Sequence, residues 1–138
     1  MNLLDRLPHK APALLLDKVL EISPARAACS IAASLHPSLA HDGQMPAPLA
    51  LEAMAQCAAA WMVGTHPDEE ARGMLVQCRN FEMSRRYLDL GSGLRAVCIP
   101  VSTGSGTGRS QFSASVENAD GDTLCKASFM ILTQPTKQ

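Results

Sequence analysis

A chain of 138 residues is long enough for one domain with a single core, but it is too short for two ordinary domains. Its 12 basic and 13 acidic side chains include no long run of either sign, which excludes the charge pattern of a protein that binds nucleic acid or an anionic membrane surface. Hydrophobic residues make up 46% of the chain and aromatic residues 4%, so we expect a largely aliphatic core. We therefore predict a single domain over residues 1–138.

The cysteines and the N-terminal residues indicate the cellular compartment of the protein. The five cysteines are odd in number and widely spaced, without a CxxC pair or a Cys/His cluster, so we expect reduced, mostly buried thiols and no metal site. The first ten residues include Asp5, Arg6 and Lys10, which excludes the apolar stretch of a signal peptide. No apolar run reaches the roughly 18 residues that span a bilayer. These observations predict a cytoplasmic protein.

The N-terminal part of the chain has a short helical segment followed by two strands. Residues 2–7 are compatible with a short helix, which Pro8 ends because proline disfavours helical geometry in the residue before it. Residues 13–22 and 25–34 have strand character and flank a Ser23-Pro24 turn. We predict an antiparallel pair.

Residues 48–64 predict the longest helix of the protein. Pro48 lies in the first turn, Gly64 lies at the end, and the residues between them are mostly strong helix formers. Every face of this helix is apolar except at Glu52 and Gln56. A helix that is apolar all round must be buried, and in a small domain a surrounding sheet can bury it.

Four further segments with strand character follow this helix. They span residues 73–79, 94–102, 109–118 and 123–133, and the turn at 118–122 between the last two has the Asp-Gly composition of a hairpin. The order of elements predicts an α+β fold in which a curled antiparallel sheet of about five or six strands wraps a long central helix.

Two stretches of the chain resemble the hotdog-fold 3-hydroxyacyl-carrier-protein dehydratases. The first is LPHKAP at residues 7–12, followed by LLLDKV at 14–19, and the second is Met45-Pro46 followed by LEAMAQ at 51–56. Together with DGQMP at 42–46, they most resemble the divergent predicted dehydratases of aryl-polyene and polyketide clusters. The resemblance implies a hotdog fold, a substrate on acyl-carrier protein, no cofactor, and a homodimer or a heterodimer with another hotdog subunit.

Glu52 is the principal candidate for catalysis. Dehydration of a 3-hydroxyacyl thioester needs an acid for the departing hydroxyl group and a base for the C2 proton. A carboxyl one turn inside an apolar helix loses hydration, which favours the protonated form that can donate. The alternative interpretation is a carboxylate stabilised by the helix dipole near the N-terminus.

The base is harder to assign than the acid. In the common dehydratases a histidine lies fourteen positions before the helix acid, and in this chain that position is Ser38. His41 and His36 are nearby candidates, although an isolated loop histidine is more often simply exposed. His9 belongs to the LPHKAP stretch, where a structural role in the turn is the alternative to catalysis.

The resemblance also implies residues that contact the substrate. Ala47 follows Met45-Pro46, where the common family has a glycine whose backbone N–H meets the thioester oxygen; Pro48 has no N–H to add. Met54, Gln56 and Met74 are the other substrate-binding candidates, with ordinary core packing as the alternative for the apolar side chains.

Three functions remain open from the sequence. The first is a 3-hydroxyacyl-carrier-protein dehydratase that yields the 2-enoyl product. The second is a non-catalytic hotdog subunit of a heteromeric dehydratase, which the missing histidine favours and Glu52 opposes. The third is an acyl-thioesterase, in which a helix carboxylate would activate water.

Overall fold

The fold is organised around a 17-residue helix, α1 (Leu49–Thr65). The computed structural model describes residues 3–7, 13–65, 73–103 and 109–133. Within these ranges α1 contacts most of the strands, and ten of its residues are buried. The predicted helix at 48–64 is therefore confirmed with a shift of one residue. A single 3₁₀ turn, Leu3–Arg6, replaces the short N-terminal helix that we predicted.

A six-stranded antiparallel sheet packs against α1. In chain order its strands are β1 (Leu16–Ser23), β2 (Arg26–Ile31), β4 (Gly73–Met83), β6 (Arg95–Thr103), β7 (Arg109–Glu117) and β8 (Thr123–Thr133). Their order across the sheet is β1-β2-β6-β7-β8-β4, so β1 and β4 are the two edge strands. The prediction of an α+β fold with about six strands around a long helix is confirmed.

Two short strands form a second sheet that the sequence patterns did not reveal. They are β3 (Gln44–Pro46) and β5 (Tyr87–Asp89), which pair antiparallel; β3 ends three residues before α1 begins. Residues 41–44 form a tight turn that leads into β3. His41 and Gln44 close this turn with two backbone hydrogen bonds of 3.0 Å. Asp42 and Gly43 take the positive φ values of this turn, 53° and 72°. This Asp-Gly pair is the local signal for the turn.

Strand β4 is longer than predicted because it continues past an irregularity. Its pairing with β8 shifts register between Arg79 and Glu82, and Asn80 within this interval has a φ of 56°. Phe81 packs against the core, and the pairing then resumes at Glu82 and Met83. A bulge of this kind turns a side chain and bends the strand.

The core lies between α1 and the sheet. Trp61 of α1 meets Phe112 edge-on at 5.7 Å between ring centroids, and Phe112 stacks with Phe129 at 5.9 Å. The Trp61 Nε1–H also donates to the Ser23 carbonyl oxygen at 2.8 Å, which ties the end of α1 to β1. These contacts position the C-terminal part of the helix against the sheet.

The cysteines are free thiols, and four of the five are buried, as the composition predicted; Cys78 is exposed. Among the described residues, no three potential metal-ligating side chains come together. No helix within the described ranges is long and apolar enough to cross a membrane.

Candidate active site

Glu52 lies in the first turn of α1, with a partly buried side chain. Its Oε1 accepts a hydrogen bond of 3.3 Å from Nε2 of Gln56, one helical turn further on. Residues four apart on a helix lie on the same face, which explains why these two side chains meet. The structure thus brings together the two polar residues that the sequence singled out on α1.

Gln56 is a polar residue that is buried in the core with no exposed surface. Its Oε1 accepts from the Leu15 N–H at 2.8 Å, and its Nε2 donates to the Ala13 carbonyl oxygen at 2.8 Å. With the contact to Glu52, both N–H groups of the amide have acceptors. These contacts position Glu52 and anchor the segment before β1. The predicted role of Gln56 in substrate binding stays a prediction.

Ala47 connects β3 to α1 and is completely buried. Its N–H donates to the Arg86 carbonyl oxygen at 2.8 Å. A backbone N–H that is satisfied within the protein is not free to stabilise charge on a thioester oxygen. The oxyanion role that the resemblance implies for Ala47 would require this bond to break, and that role stays a prediction. Sequence patterns could not reveal this bond, because Arg86 is far along the chain and only the pairing of β3 with β5 brings it close.

The two described histidines have local partners. His41 is 92% exposed, and its Nε2 lies 3.2 Å from the Asp42 carboxylate, which is itself exposed. His36 is exposed, and its Nδ1 accepts from the Ser38 N–H at 3.1 Å, with the Ser38 hydroxyl at 2.8 Å. Both rings therefore engage residues of their own loop. His9 lies outside the described residues.

The remaining candidates are apolar. Met54 is completely buried on α1 within the core cluster. Met74 lies in β4, where its backbone is opposite Leu132 of β8. Burial of Met54 is consistent with either core packing or a tunnel wall, so its role in substrate binding stays a prediction, as does that of Met74.

Cys57, the neighbour of Gln56, is a core thiol. It is completely buried, and its Sγ lies 3.6 Å from the Ala27 carbonyl oxygen and 3.5 Å from that of Ala96. Hydrogen bonding to Cys29 and Cys98, together with burial, raises the pKa of the Cys57 thiol. A raised pKa disfavours the thiolate, so Cys57 is not an activated nucleophile.

A cavity of about 170 Å³ lies on the sheet, and none of its lining residues belongs to α1. It is distinct from the surroundings of Glu52. Its lining residues come from β4, β6, β7 and β8: Gln77, Arg79, Val101, Gln111, Phe112, Ser128, Phe129 and Met130.

One long helix packed against a six-stranded antiparallel sheet is the architecture of a hotdog-fold protein, and solved structures share it. One chain of the dehydratase heterocomplex ApeI:P from Xenorhabdus doucetiae aligns with a TM-score of 0.84 and 26% identity, over 99% of this chain and 93% of that one. The chain belongs to the ApeP-like family, because the model of that family, described as ApeP dehydratase, matches residues 1–138. The sequence-based prediction of a hotdog-fold dehydratase is confirmed.

More distant structures carry thioesterase names. Zebrafish thioesterase superfamily member 2 aligns with a TM-score of 0.70 and 10% identity, over 95% of this chain and 91% of that one. A hypothetical thioesterase from Streptococcus pneumoniae TIGR4, solved with coenzyme A, aligns with a TM-score of 0.66 and 13% identity, over 88% of each chain. At these identities the likeness shows the fold alone. No curated protein matches the chain.

Proposed function

We propose that this chain is one subunit of a dehydratase that converts a 3-hydroxyacyl thioester on acyl-carrier protein into the 2-enoyl thioester and water. Membership of the ApeP-like dehydratase family supports fatty-acid or polyketide synthesis, and aryl-polyene synthesis in particular, as its setting. The observation that carries the chemical proposal is the hydrogen bond that holds the Glu52 carboxyl at the start of the buried helix.

Glu52 is the acid in this mechanism. A base removes the C2 proton, the C2–H electron pair forms the new double bond, and the C3–O bond breaks as Glu52 protonates the departing hydroxyl. The proton taken from C2 balances the proton given to the hydroxyl, and loss of water leaves the net oxidation state of the substrate unchanged, so the reaction needs no redox partner. Gln56 holds the carboxyl through its Oε1.

The base in this proposal comes from a second hotdog subunit. His41 and His36 engage residues of their own loop, and the position of the usual histidine is Ser38. The similar chain from Xenorhabdus doucetiae belongs to a two-component dehydratase complex. In this chain β4 is an edge strand of 11 residues, and an edge strand offers backbone donors and acceptors to a neighbour. A partner that pairs with β4 would extend the sheet.

The decisive experiment compares this chain alone, its partner subunit alone and the complex of the two. Each sample receives a 3-hydroxyacyl thioester, and formation of the 2-enoyl product is followed by mass spectrometry. We expect turnover from the complex only. In the complex, Glu52→Gln should lower kcat by roughly 10²- to 10⁴-fold, the usual contribution of a general acid. Gln111→Glu, an exposed substitution on β7, serves as the control and should change kcat less than twofold.

Each other outcome has a definite meaning. Turnover by this chain alone would place the base within it and refute the two-subunit part of the proposal. Full activity of Glu52→Gln in the complex would remove Glu52 from the mechanism and favour a non-catalytic supporting subunit. Release of free thiol without formation of the enoyl product would identify a thioesterase.

A further inference from the structure

The cavity of about 170 Å³ on the sheet lies on the face that points away from α1. Phe112 and Phe129 point inward, where they belong to the core. Side chains alternate between the two faces of a strand, so the adjacent lining residues Gln111, Ser128 and Met130 point outward. The cavity is therefore a feature of the outer face of the sheet, and the proposed dehydration does not use it.

Two β-bulges lie on opposite sides of this cavity. In β4 the pairing with β8 shifts register between Leu75 and Gln77, and in β6 the pairing with β7 shifts between Pro100 and Ser102. A bulge bends its strand and redirects a side chain. Val101, within the second bulge, is 64% exposed, the highest value for a large hydrophobic residue in the described ranges. One end of the cavity is therefore apolar and open to solvent.

The opposite end of the cavity carries an oriented positive charge. The side-chain oxygen of Gln77 accepts from Nε and Nη2 of Arg79, at 3.3 and 3.1 Å, in the amide orientation that gives each donor an acceptor. This contact uses two of the five N–H donors of the guanidinium group and leaves those on its adjacent edge, shared by Nη1 and Nη2. Two neighbouring N–H groups match the two oxygens of a carboxylate.

The charges around Arg79 leave its positive charge uncompensated. Within the described part of the chain, no carboxylate forms an ion pair with Arg79. Arg79 is opposite Ser128, and the next charged pair along the two strands is Glu82 opposite Lys126. Opposite residues of an antiparallel pair share a face, so Lys126 offsets the charge of Glu82. An anion in the cavity would therefore meet one net positive charge.

The size and lining of the cavity favour a small carboxylate with a flat apolar body. An apolar cavity of about 150 Å³ admits benzene, so a volume of about 170 Å³ suits a single ring. Val101 and the flexible thioether of Met130 offer contact to such a ring. The backbone N–H groups of the sheet are directed into its hydrogen-bond ladder, so they do not point up toward the several oxygens of a phosphate.

We propose that this cavity is an accessory site for an aromatic monocarboxylate of about the size of benzoate. The carboxylate accepts from the free edge of Arg79, and the ring lies between Met130 and Val101. The site is separate from Glu52, because no residue of α1 lines it. It stays open when a partner pairs with β4, since an added strand uses the backbone edge and leaves the outer face of the sheet uncovered.

The test is a titration of the full-length chain, alone and with its partner subunit, by calorimetry and NMR. Benzoate is compared with benzamide, which has no charge, with acetate, which has no ring, and with inorganic phosphate. Arg79→Gln removes the charge, and Val101→Thr replaces one methyl group by a hydroxyl; both positions are exposed. Lys126→Gln is the matched control, because it removes a charge from the same face outside the cavity. Glu52→Gln tests whether benzoate binds at the candidate active site instead.

We expect benzoate to bind in the millimolar range and to shift the Nε–H signal of Arg79. Arg79→Gln should raise the Kd about tenfold and Val101→Thr about fourfold, whereas Lys126→Gln and Glu52→Gln should stay within twofold. Benzamide, acetate and phosphate should each bind at least tenfold more weakly than benzoate.

Four results would overturn the proposal. An unchanged Kd in Arg79→Gln would show that its guanidinium does not hold the ligand. Acetate or phosphate that binds as tightly as benzoate would exclude a site for an aromatic ring. Loss of binding in Glu52→Gln would place the ligand at the candidate active site, and loss of binding on addition of the partner subunit would show that the partner covers this face.

Discussion

The buried amide of Gln56 joins Glu52 to the chain segment before β1. One N–H of this amide donates to Glu52 Oε1, while the other N–H and the amide oxygen bond the backbone of Ala13 and Leu15. The position of the carboxyl is therefore coupled to the packing of α1 against the start of the sheet. Loss of the amide should affect both stability and catalysis.

Replacement of the Gln56 amide is expected to destabilise the fold. Gln56→Met preserves the length of the side chain but leaves the Leu15 N–H and the Ala13 carbonyl without partners. Each buried polar group left unpaired costs about 1–3 kcal/mol, so the free energy of unfolding should fall by at least that amount. Urea denaturation measures this loss. Gln111→Met, at an exposed position, should stay within about 0.5 kcal/mol, and an equal effect in the two variants would contradict the assignment.

His41 is expected to be dispensable. Its ring is 92% exposed and pairs with an exposed Asp42, an arrangement that contributes little to stability. His41→Ala should change kcat of the complex less than twofold and the urea midpoint only slightly. A loss of 100-fold or more at unchanged stability would instead identify His41 as the base.

Partner binding should protect β4 from hydrogen exchange. As an edge strand, β4 has one side that β8 does not pair, and β1 occupies the opposite edge of the sheet. When the partner subunit is added, amides in Gly73–Met83 should exchange more slowly, while those in Leu16–Ser23 should exchange as before. Mass spectrometry of peptides from the two strands makes the comparison. Protection of β1 alone would place the partner on the wrong edge for our proposal.

The buried thiols predict a loss of stability at alkaline pH. Burial raises the pKa of Cys125, and hydrogen bonding to Cys29 and Cys98 together with burial raises that of Cys57 well above its usual value. The same contact with Cys57 lowers the pKa of Cys29, which offsets part of this effect. On balance the folded state retains protons that the unfolded state loses. The stabilisation is complete below the unfolded thiol pKa of roughly 8.5 and declines as pH rises through the folded values. Each such group contributes a slope of up to about 1.4 kcal/mol per pH unit.

Denaturation series at increasing pH measure this slope. Cys57→Ala should reduce it, whereas Cys78→Ala should change it less, because Cys78 is exposed. A slope that is the same in Cys57→Ala and the unmodified protein would show that Cys57 does not contribute.

The amino-acid sequence by itself determined the elements whose signals are local. The helix around Glu52, the strands of the main sheet and the family resemblance all follow from runs of neighbouring residues, because helix capping, apolar periodicity and turn composition act over a few positions. The sequence did not predict the part of β4 after residue 79, because a bulge at Asn80 interrupts the alternation of side chains.

Only the tertiary structure determined the hydrogen-bond partners of the site residues. Ala47 donates to Arg86, and Gln56 bonds the backbone of Ala13 and Leu15, across 39 to 43 positions of the chain. No local pattern encodes such contacts, because they form only when the sheet closes around α1 and each buried polar group takes the partner that packing brings to it. The sequence identified Glu52 as the acid candidate and Gln56 as its neighbour on the helix, and long-range packing decided that Gln56 is anchored to Ala13 and Leu15.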